Sequence, residues 1–287
     1  MKIIQRTRLW FLISLCLLTL AIGAMVYNSV ARGSFLNLGI DFTGGTMINL
    51  RFTKAVTTSE IREVLKRFSL EQAVIQASQN NEVFIRTKPI AAKTRIEIVS
   101  ALGKEVAPAE LLESVMVGPV IGAELRIQAL WALLLASIGI IVYVSFRFEF
   151  KYAVAALLAL FHDAIFTTGI MALLWRDIEV PFVAAILTIM GYSINDSIVI
   201  FDRIRENLKK YGKKNYNEVI NKSIAETLPR SINTVLTTVI VVLCLLFFGG
   251  KTIKDFSLVL LVGFAIGTYS SIFIASPLVA LWENRSK

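Results

Sequence analysis

Six apolar stretches separated by polar segments dominate the pattern of hydrophobic and polar positions along the chain. They cover residues 9–27, 127–146, 152–175, 181–201, 231–248 and 257–281. An α-helix needs roughly 20 residues to cross about 30 Å of hydrocarbon, so each stretch is long enough to span a membrane. The pattern therefore predicts a polytopic α-helical membrane protein with six transmembrane helices.

The polar segment between the first two spans, residues 30–125, is long enough to fold as a small domain with its own core. Residues 47–52 alternate as a strand, and residues 73–79 and 82–87 indicate a hairpin that turns at Asn80 and Asn81. Thr57 and Glu60 have the spacing of a capping box, which predicts a helix to about residue 68. Residues 91–106 and 108–115 are helical by pattern, with Pro108 at a favoured first position.

These elements predict one small α+β domain between the first two transmembrane helices. The expected organisation is a first span within residues 1–29, this domain over 30–125, and five further spans within 126–287. Composition supports a membrane protein, because 55% of the 287 residues are hydrophobic and the mean hydropathy is +0.67.

The orientation in the membrane follows from lysines and arginines, which concentrate in cytoplasmic loops. The residues that carry this argument are Lys2, Arg6, Arg8, Arg147, Lys151, Arg203, Arg205, Lys209, Lys210, Lys213, Lys214, Lys222, Arg230, Arg285 and Lys287. Both termini and the connection 202–230 are therefore expected in the cytoplasm, and residues 30–125 outside it. The net charge of +9 is attributed to this bias and to anionic lipid, so no nucleic-acid site is predicted.

The connection 202–230 carries eight basic and four acidic residues, which leaves it strongly positive. Its pattern predicts one or two amphipathic helices on the membrane surface. The sequence leaves open whether this segment is a docking surface or a solvated loop that only fixes the topology.

Asp196 lies inside the fourth apolar stretch, next to Asn195 and shortly after Gly191. An Asp at the centre of a membrane helix costs roughly 2.5–3.5 kcal/mol, so such residues commonly handle protons or ions, or pair with a cation on another helix. Asp196 is therefore the first candidate for a functional residue.

The fifth span begins with a polar stripe at helical spacing, formed by Arg230, Asn233, Thr234 and Thr237. Arg230 and Asp196 are expected at similar depth, so the two can pair. If a conformational change exchanges that pairing for an apolar environment, the pair acts as a proton switch. The alternative is a permanent ion pair that holds two helices together.

His162 and Asp163 form a second ionisable cluster, on the third span. They are candidates for proton handling, whereas the plainer interpretation is a hydrogen-bonded packing pair. The chain has one His, and its two cysteines, Cys16 and Cys244, lie in different spans. Neither a metal site nor a cofactor is predicted.

Glycine-rich segments flank the soluble domain, and their glycines are expected to form tight turns with a structural role. The residues concerned are Asp41, Gly44, Gly45, Gly118, Pro119 and Gly122. The sixth span carries Gly263, Gly267, Ser271 and Ala275 at four-residue spacing, which favours close packing against another helix.

Four of these segments, residues 39–45, 117–125, 191–207 and 230–234, closely resemble motifs of the SecF branch of the SecD/SecF protein-export family. The resemblance spans nearly the whole chain. It implies a fold of the resistance-nodulation-division (RND) type in the cytoplasmic (inner) membrane of a bacterium. It also implies pairing with a six-span SecD-like half that supplies part of a proton path.

In that family the residues corresponding to Asp196 and Arg230 are implicated in proton passage, and the external domains in handling the emerging polypeptide. The implied function is use of the proton gradient to promote late steps of polypeptide translocation. The implied partners are a SecD-like subunit, a SecYEG-type translocon, YajC, YidC and the translocating polypeptide.

Three other functions are compatible with part of the sequence. An intramembrane protease could use the serine of Gly191-x-Ser193, or Asp163 together with Asp196. His162 precedes Ser193 in the chain, unlike the arrangement in rhomboid serine proteases, and the Gly-x-Gly-Asp pattern of aspartyl proteases is absent, so both interpretations are disfavoured. No enzymatic activity is therefore expected. An RND-type exporter of small solutes or lipids, and a passive scaffold for export subunits, are the remaining alternatives.

Overall fold

The computed structural model describes residues 2–212 and 215–285 and is mainly helical. Its helices are α1 (Thr7–Arg32), α2 (Ile40–Thr43), α3 (Thr58–Lys66), α4 (Ala92–Glu105), α5 (Pro119–Arg147), α6 (Phe150–Leu173), α7 (Val180–Tyr211), α8 (Tyr216–Phe248), α9 (Lys251–Ser270) and α10 (Ser276–Arg285). A π-helical turn, Ser271–Ala275, joins α9 to α10. Six helical segments in the described part of the chain are long and apolar enough to cross a membrane, which confirms the predicted spans.

The strands are β1 (Asn37–Leu38), β2 (Gly45–Phe52), β3 (Val74–Ala77), β4 (Glu82–Thr87), β5 (Ala109–Val117) and β6 (Asp177–Ile178). The chain divides into two compact units, one of residues 38–130 and one of the residues on either side. Helix α1 extends beyond the predicted first span and ends at Gly33, whose φ of 74° is the left-handed conformation typical of a helix C-terminus.

The unit of residues 38–130 contains an antiparallel sheet in the order β3-β4-β2-β5. The predicted strand over 47–52 and the predicted hairpin are both observed, as β2 and as β3 with β4. The capping box is also observed, because Thr57 accepts a hydrogen bond from the Glu60 N–H and Glu60 accepts one from the Thr57 N–H. Side chains from β2, β4, α3 and α4 form one apolar core that includes Ile48, Ile61 and Ile98.

The predicted helix over 108–115 is wrong. Residues Ala109–Val117 form strand β5, which pairs antiparallel with β2 over the whole length of that strand. The segment has helix-forming residues, but β2 offers a row of unpaired backbone groups on its open edge. Pairing with β2 satisfies them, and tertiary context therefore overrides local propensity.

Three helices form the interior of the membrane unit. In the most apolar 18-residue segment of each span, 50% of the residues are buried in α6, 44% in α7 and 61% in the last span. The corresponding shares are 17% for α1 and 11% for both α5 and α8. The third, fourth and sixth spans thus pack together, and α8 leaves most of its surface uncovered by this chain.

The prediction of separate surface helices over 202–230 is also wrong. Residues up to Tyr211 continue α7, and residues from Tyr216 begin α8. The two extensions are joined by polar contacts, with Arg203 Nε 2.7 Å from Glu226 Oε2 and Asn207 Nδ2 3.0 Å from Ser223 Oγ. These contacts, of which the one between Asn207 and Ser223 is buried, favour a helical hairpin over two helices that lie separately on lipid. Lys213, Lys214 and Lys287, which contribute to the charge argument, lie outside the described residues.

Candidate functional site

Two polar clusters occupy neighbouring faces of α7 in the membrane unit. Ser193 and Ser197 lie on the buried face toward α6 and the sixth span, with exposed fractions of 1% and 2%. Asp196 lies about 60° around the helix from Ser193 and is half-buried, and Asn195 is exposed. One short polar stretch of sequence therefore contributes to two separate sites.

Asp196 faces α8 and contacts Ser231, whose Oγ donates a hydrogen bond to Asp196 Oδ1 at 2.5 Å. The second oxygen, Oδ2, is buried and has no hydrogen-bond partner among the described residues. Asp196 also lines a small cavity of about 60 Å³. The cavity lining comprises Tyr192, Asn195, Asp196, Val199, Arg230 and Thr234.

Arg230 lines the same cavity, but the predicted ion pair with Asp196 is not formed. No ion pair within 4.0 Å involves Asp196 among residues 2–212 and 215–285. Ser231 takes the hydrogen-bonding position at the carboxylate, and Arg230 is exposed at the start of the membrane-embedded part of α8. A long arginine stem allows the charged group to stay in water while its base borders an apolar region. The structure thus has the two charges near one cavity without a permanent ion pair.

The rest of the polar stripe on α8 is exposed. Asn233, Thr234 and Thr237 all lie on the uncovered face, and the threonines donate to backbone carbonyls one turn earlier in their own helix. Such bonds satisfy a hydroxyl in an apolar environment. The side chain of Asn233 is exposed on the same face. The part of the chain that the structure describes leaves this face uncovered.

Asp163 is the centre of the second cluster and is only 1% exposed. Its Oδ2 accepts hydrogen bonds from Ser193 Oγ on α7 at 2.8 Å and from Ser270 Oγ on α9 at 2.7 Å. Its Oδ1 lies 3.2 Å from His162 Nδ1. One carboxylate thereby connects three helices.

His162 is buried beside Asp163, and its ring stacks on Phe166 with centroids 6.5 Å apart. Its Nε2 is buried without a hydrogen-bond partner among the described residues. Since an ionised carboxylate only accepts hydrogen bonds, the tautomer of His162 that carries its hydrogen on Nδ1 fits this contact. Within the described residues no group of three or more His, Cys, Asp or Glu is arranged to hold a metal ion.

Serines of the sixth span extend the cluster. Ser271 Oγ lies 2.9 Å from Ser197 Oγ and donates to the carbonyl of Ser193 at 3.2 Å. The sequence predicts Ser271 only as a small packing residue, and it does not single out Ser270, Ser197 or Ser231 as site residues. The available signal was the occurrence of hydroxyl pairs inside apolar spans, because a buried hydroxyl needs a partner.

The glycine motifs lie in the other unit and meet one another. Gly44 and Gly45 have φ of 71° and 138°, as expected for a tight turn after α2. A Cβ placed on Gly122 would lie 2.9 Å from the Gly44 nitrogen, and one placed on Gly44 would lie 2.9 Å from Pro119 Cα. These glycines are therefore explained by close backbone packing.

The other motif residues have plainer surroundings. Asp41 lies in the first turn of α2, and Pro119 begins α5. A Cβ on Gly118 or on Gly191 would meet no atom within 4 Å, so neither position requires glycine for lack of space.

Comparison with known proteins relates this chain to membrane proteins of protein export. Residues 98–285 match the family model described as "Protein export membrane protein SecD/SecF, C-terminal", and residues 36–56 match the SecD/SecF GG motif. A protein translocase subunit SecF of Sebaldella termitidis is 42% identical over 293 residues, which cover 100% of this chain and 93% of that protein.

Fused relatives are similar over part of their length. Protein translocase subunit SecDF of Thermus thermophilus is 42% identical over 94% of this chain, which spans 37% of that protein. The crystal structure of SecDF from Thermus thermophilus, described as a translocon-associated membrane protein, superposes with a TM-score of 0.90 at 40% identity. That match covers 99% of this chain and 39% of the solved chain.

Proposed function

The chain belongs to the SecD/SecF family of protein-export membrane proteins, and on that premise we propose that it is a SecF-like subunit that uses the proton gradient to promote late steps of polypeptide translocation. In this proposal Asp196 binds and releases protons, and Arg230 biases the exchange. The observation that carries it is the half-buried Asp196, which has one carboxylate oxygen without a hydrogen-bond partner among the described residues and lines a cavity that Arg230 also lines.

The chemistry depends on an environment that can change. An apolar surrounding favours the neutral acid, and a nearby cation favours the carboxylate. Movement of α8 relative to α7 would alter the distance between Arg230 and Asp196. Because the two residues are not fixed in an ion pair, this distance can change, and the proton affinity of Asp196 changes with it. Transfer of one charge across 100 mV is worth about 2.3 kcal/mol, so a few protons per cycle suffice to drive a rearrangement.

The proposed partner is a SecD-like subunit that covers the exposed stripe on α8. Asn233, Thr234 and Thr237 form a polar face inside the membrane-embedded part of the helix, and polar faces at that depth need a protein partner. The similarity to SecDF over 37% of that protein's length supports a separate subunit that supplies the remainder. A SecYEG-type translocon, YajC, YidC and the translocating polypeptide complete the proposed assembly.

We further propose that the chain has no proteolytic activity. Ser193 donates its hydroxyl hydrogen bond to Asp163 and is 1% exposed, so it is neither paired with the imidazole nor open to a substrate. Asp163 and Asp196 have separate hydrogen-bond partners on different helices, which does not suit two carboxylates that share one proton.

The central test is gradient-driven export of a secreted substrate into membrane vesicles that contain Asp196→Asn. The amide keeps the shape and the bond from Ser231 but cannot exchange a proton, so late-stage export should lose its dependence on the gradient. Arg230→Met should have the same effect through loss of the nearby charge. The amount of inserted protein should stay at the wild-type level in both variants.

Asp202→Asn is the matched control, because Asp202 lies on the same helix two turns later and is 43% exposed beside Arg147. It should export normally. Wild-type, gradient-sensitive export by Asp196→Asn would overturn the proposed role of Asp196 and leave a scaffold as the better interpretation.

A second test addresses the partner. The purified chain alone in liposomes should show no gradient-dependent transport, and co-purification from native membrane should recover a SecD-like protein with the channel. Transport by the isolated chain would instead favour an exporter of small solutes or lipids.

A further inference from the structure

Three helices of the membrane unit are joined at a single buried oxygen atom, Asp163 Oδ2. It accepts from Ser193 on α7 and from Ser270 on α9, and Asp163 itself belongs to α6. All three side chains are at most 1% exposed. The cluster contacts α6 and α9, whereas Asp196 contacts α8, so the proposed function leaves the cluster without a role.

Close backbone packing supports the same contact. A Cβ built on Gly267 would lie 3.1 Å from Ser193 Cβ and 3.7 Å from Asp163 Oδ2. A side chain at residue 267 would therefore crowd Ser193 at the close approach of α9 to α7. The hydrogen bonds and the close approach together restrict rotation of α7 about its own axis.

The π-helical turn reinforces this restriction one turn further along. Ser271, its first residue, contacts both Ser193 and Ser197, and Ser276 Oγ donates to the Ser271 carbonyl at 2.9 Å. The extra residue in a π-turn changes which side chains face a neighbouring helix, and such turns are common at functional sites. Here the turn aims a second hydroxyl at α7.

Asp196 lies between the two clamped positions of α7. It follows Ser193 by three residues, about 4.5 Å along the axis, and precedes Ser197 by one. Among the described residues Asp196 itself accepts one hydrogen bond, from Ser231. The contacts of α7 with α6 and α9 therefore contribute to the direction in which its carboxylate points.

We propose that Asp163 is a positioning residue which, through Ser193 and Ser270, fixes the rotation of α7 and so orients Asp196 toward the cavity it shares with Arg230. This inference rests on the proposed function of Asp196 and deepens it. The titratable or charged groups that line the Asp196 cavity are Tyr192 on α7 and Arg230 on α8, and His162 is the titratable neighbour of Asp163. Asp163 contacts neither Asp196 nor Arg230 and acts only through the helix.

The test measures the surroundings of Asp196 directly. Dicyclohexylcarbodiimide modifies protonated carboxyl groups in apolar surroundings, and mass spectrometry of the peptide that contains Asp196 reports its adduct separately from that of Asp163. The extent of modification is measured against pH in native membranes that hold the full assembly. Asp163→Asn, Ser193→Ala and Gly267→Ala are compared with the wild type.

Each of the three variants should move the pH of half-maximal modification by about one unit, a tenfold change in the ratio of acid to carboxylate. A nearby cation alone is worth about 1–3 units, so a small rotation relative to Arg230 is sufficient. Gly139→Ala and Thr167→Val are the matched controls, since a Cβ at 139 meets no atom within 4 Å and Thr167 is buried in α6 outside the cluster. Both should keep the wild-type midpoint.

An unchanged midpoint in Gly267→Ala and Ser193→Ala would overturn the inference, even if Asp163→Asn fails to fold. Failure of the proposed function is recognised separately, because normal export by Asp196→Asn would remove the proton role while the midpoint shifts would still show that Asp163 orients Asp196.

Discussion

At Gly122 a hydrogen atom in place of a side chain lets α5 lie against the turn at Gly44. The space is limited by backbone atoms, with a Cβ on Gly122 placed 2.9 Å from the Gly44 nitrogen and 3.1 Å from the Phe42 carbonyl oxygen. Backbone cannot move aside as a flexible side chain can, so any substitution at this position must shift the turn.

We therefore expect Gly122→Ala to destabilise the unit of residues 38–130 by about 1–3 kcal/mol, the usual cost of overpacking. The midpoint of thermal unfolding of the purified full chain measures this effect. Gly118→Ala is the control, because a Cβ there meets no atom within 4 Å. Equal midpoints for the two variants would contradict the packing argument.

The capping box at α3 is a second residue-scale feature. We expect Thr57→Ala to cost about 1 kcal/mol, the typical value for loss of an N-cap, and Thr58→Ala to cost less because Thr58 lies inside the helix. Hydrogen exchange of the α3 amides checks the difference. Similar protection in both variants would mean that the box contributes little.

The same box predicts a pH dependence. Hydrogen bonds from Thr57 lower the pKa of Glu60 below its ordinary value of 4.5. A lowered folded-state pKa means that Glu60 stabilises the folded helix at pH values above 4.5, and that this contribution is lost as the pH falls through the lowered value. Glu60→Gln should weaken that loss of α3 protection on acidification, whereas Glu63→Gln should preserve it.

At the scale of elements, the contact between α1 and α6 depends on two small residues. A Cβ on Gly169 would lie 2.2 Å from Ala21 Cβ, so the helices touch at these positions. Small residues at such contacts allow the van der Waals packing that drives association of helices in lipid. The last span follows the same rule, with Gly263 against Ile189 and Gly267 against Ser193.

Gly169→Ala should therefore lower the fraction of correctly folded protein, and Ala21→Gly added to it should restore little of the loss, because the new Cβ would still lie 2.5 Å from Ala21 Cα. Protease resistance in mild detergent measures the folded fraction. Gly23→Ala on α1, where a Cβ meets no atom within 4 Å, should be neutral. Wild-type protease resistance in Gly169→Ala would show that this position does not limit the contact.

At the scale of the whole molecule, orientation in the membrane is the property to test. The distribution of lysine and arginine predicts that Lys88 lies outside the cytoplasm and Lys210 inside it. Both side chains are exposed. Cys16 and Cys244 are free and exposed, so they must be replaced by serine before any labelling.

A membrane-impermeant thiol reagent should then label Lys88→Cys in intact cells and Lys210→Cys only after the inner face is opened. The opposite result for Lys88→Cys would reverse the topology. Labelling of both from the same side would contradict the assignment of residues 30–125 and 202–230 to different compartments.

The sequence by itself determined the six spans, the α+β domain and the family, because apolar length and short motifs are local properties of the chain. It also identified Asp163, His162, Asp196 and Arg230 as candidate residues, since charge within an apolar run is visible without a fold. It failed at 108–115, where the free edge of β2 imposed a strand, and at 202–230, where side-chain contacts extended two spans into a helical hairpin.

Only the tertiary structure decided how the candidate residues combine. It separated Asp163 from Asp196 by placing Ser193 and Asp196 on different sides of α7, and it gave Asp196 a contact with Ser231 where an ion pair with Arg230 was expected. Such pairings depend on the rotation and register of helices far apart in the chain. Those quantities follow from the packing of glycines and serines between helices, which no local pattern specifies.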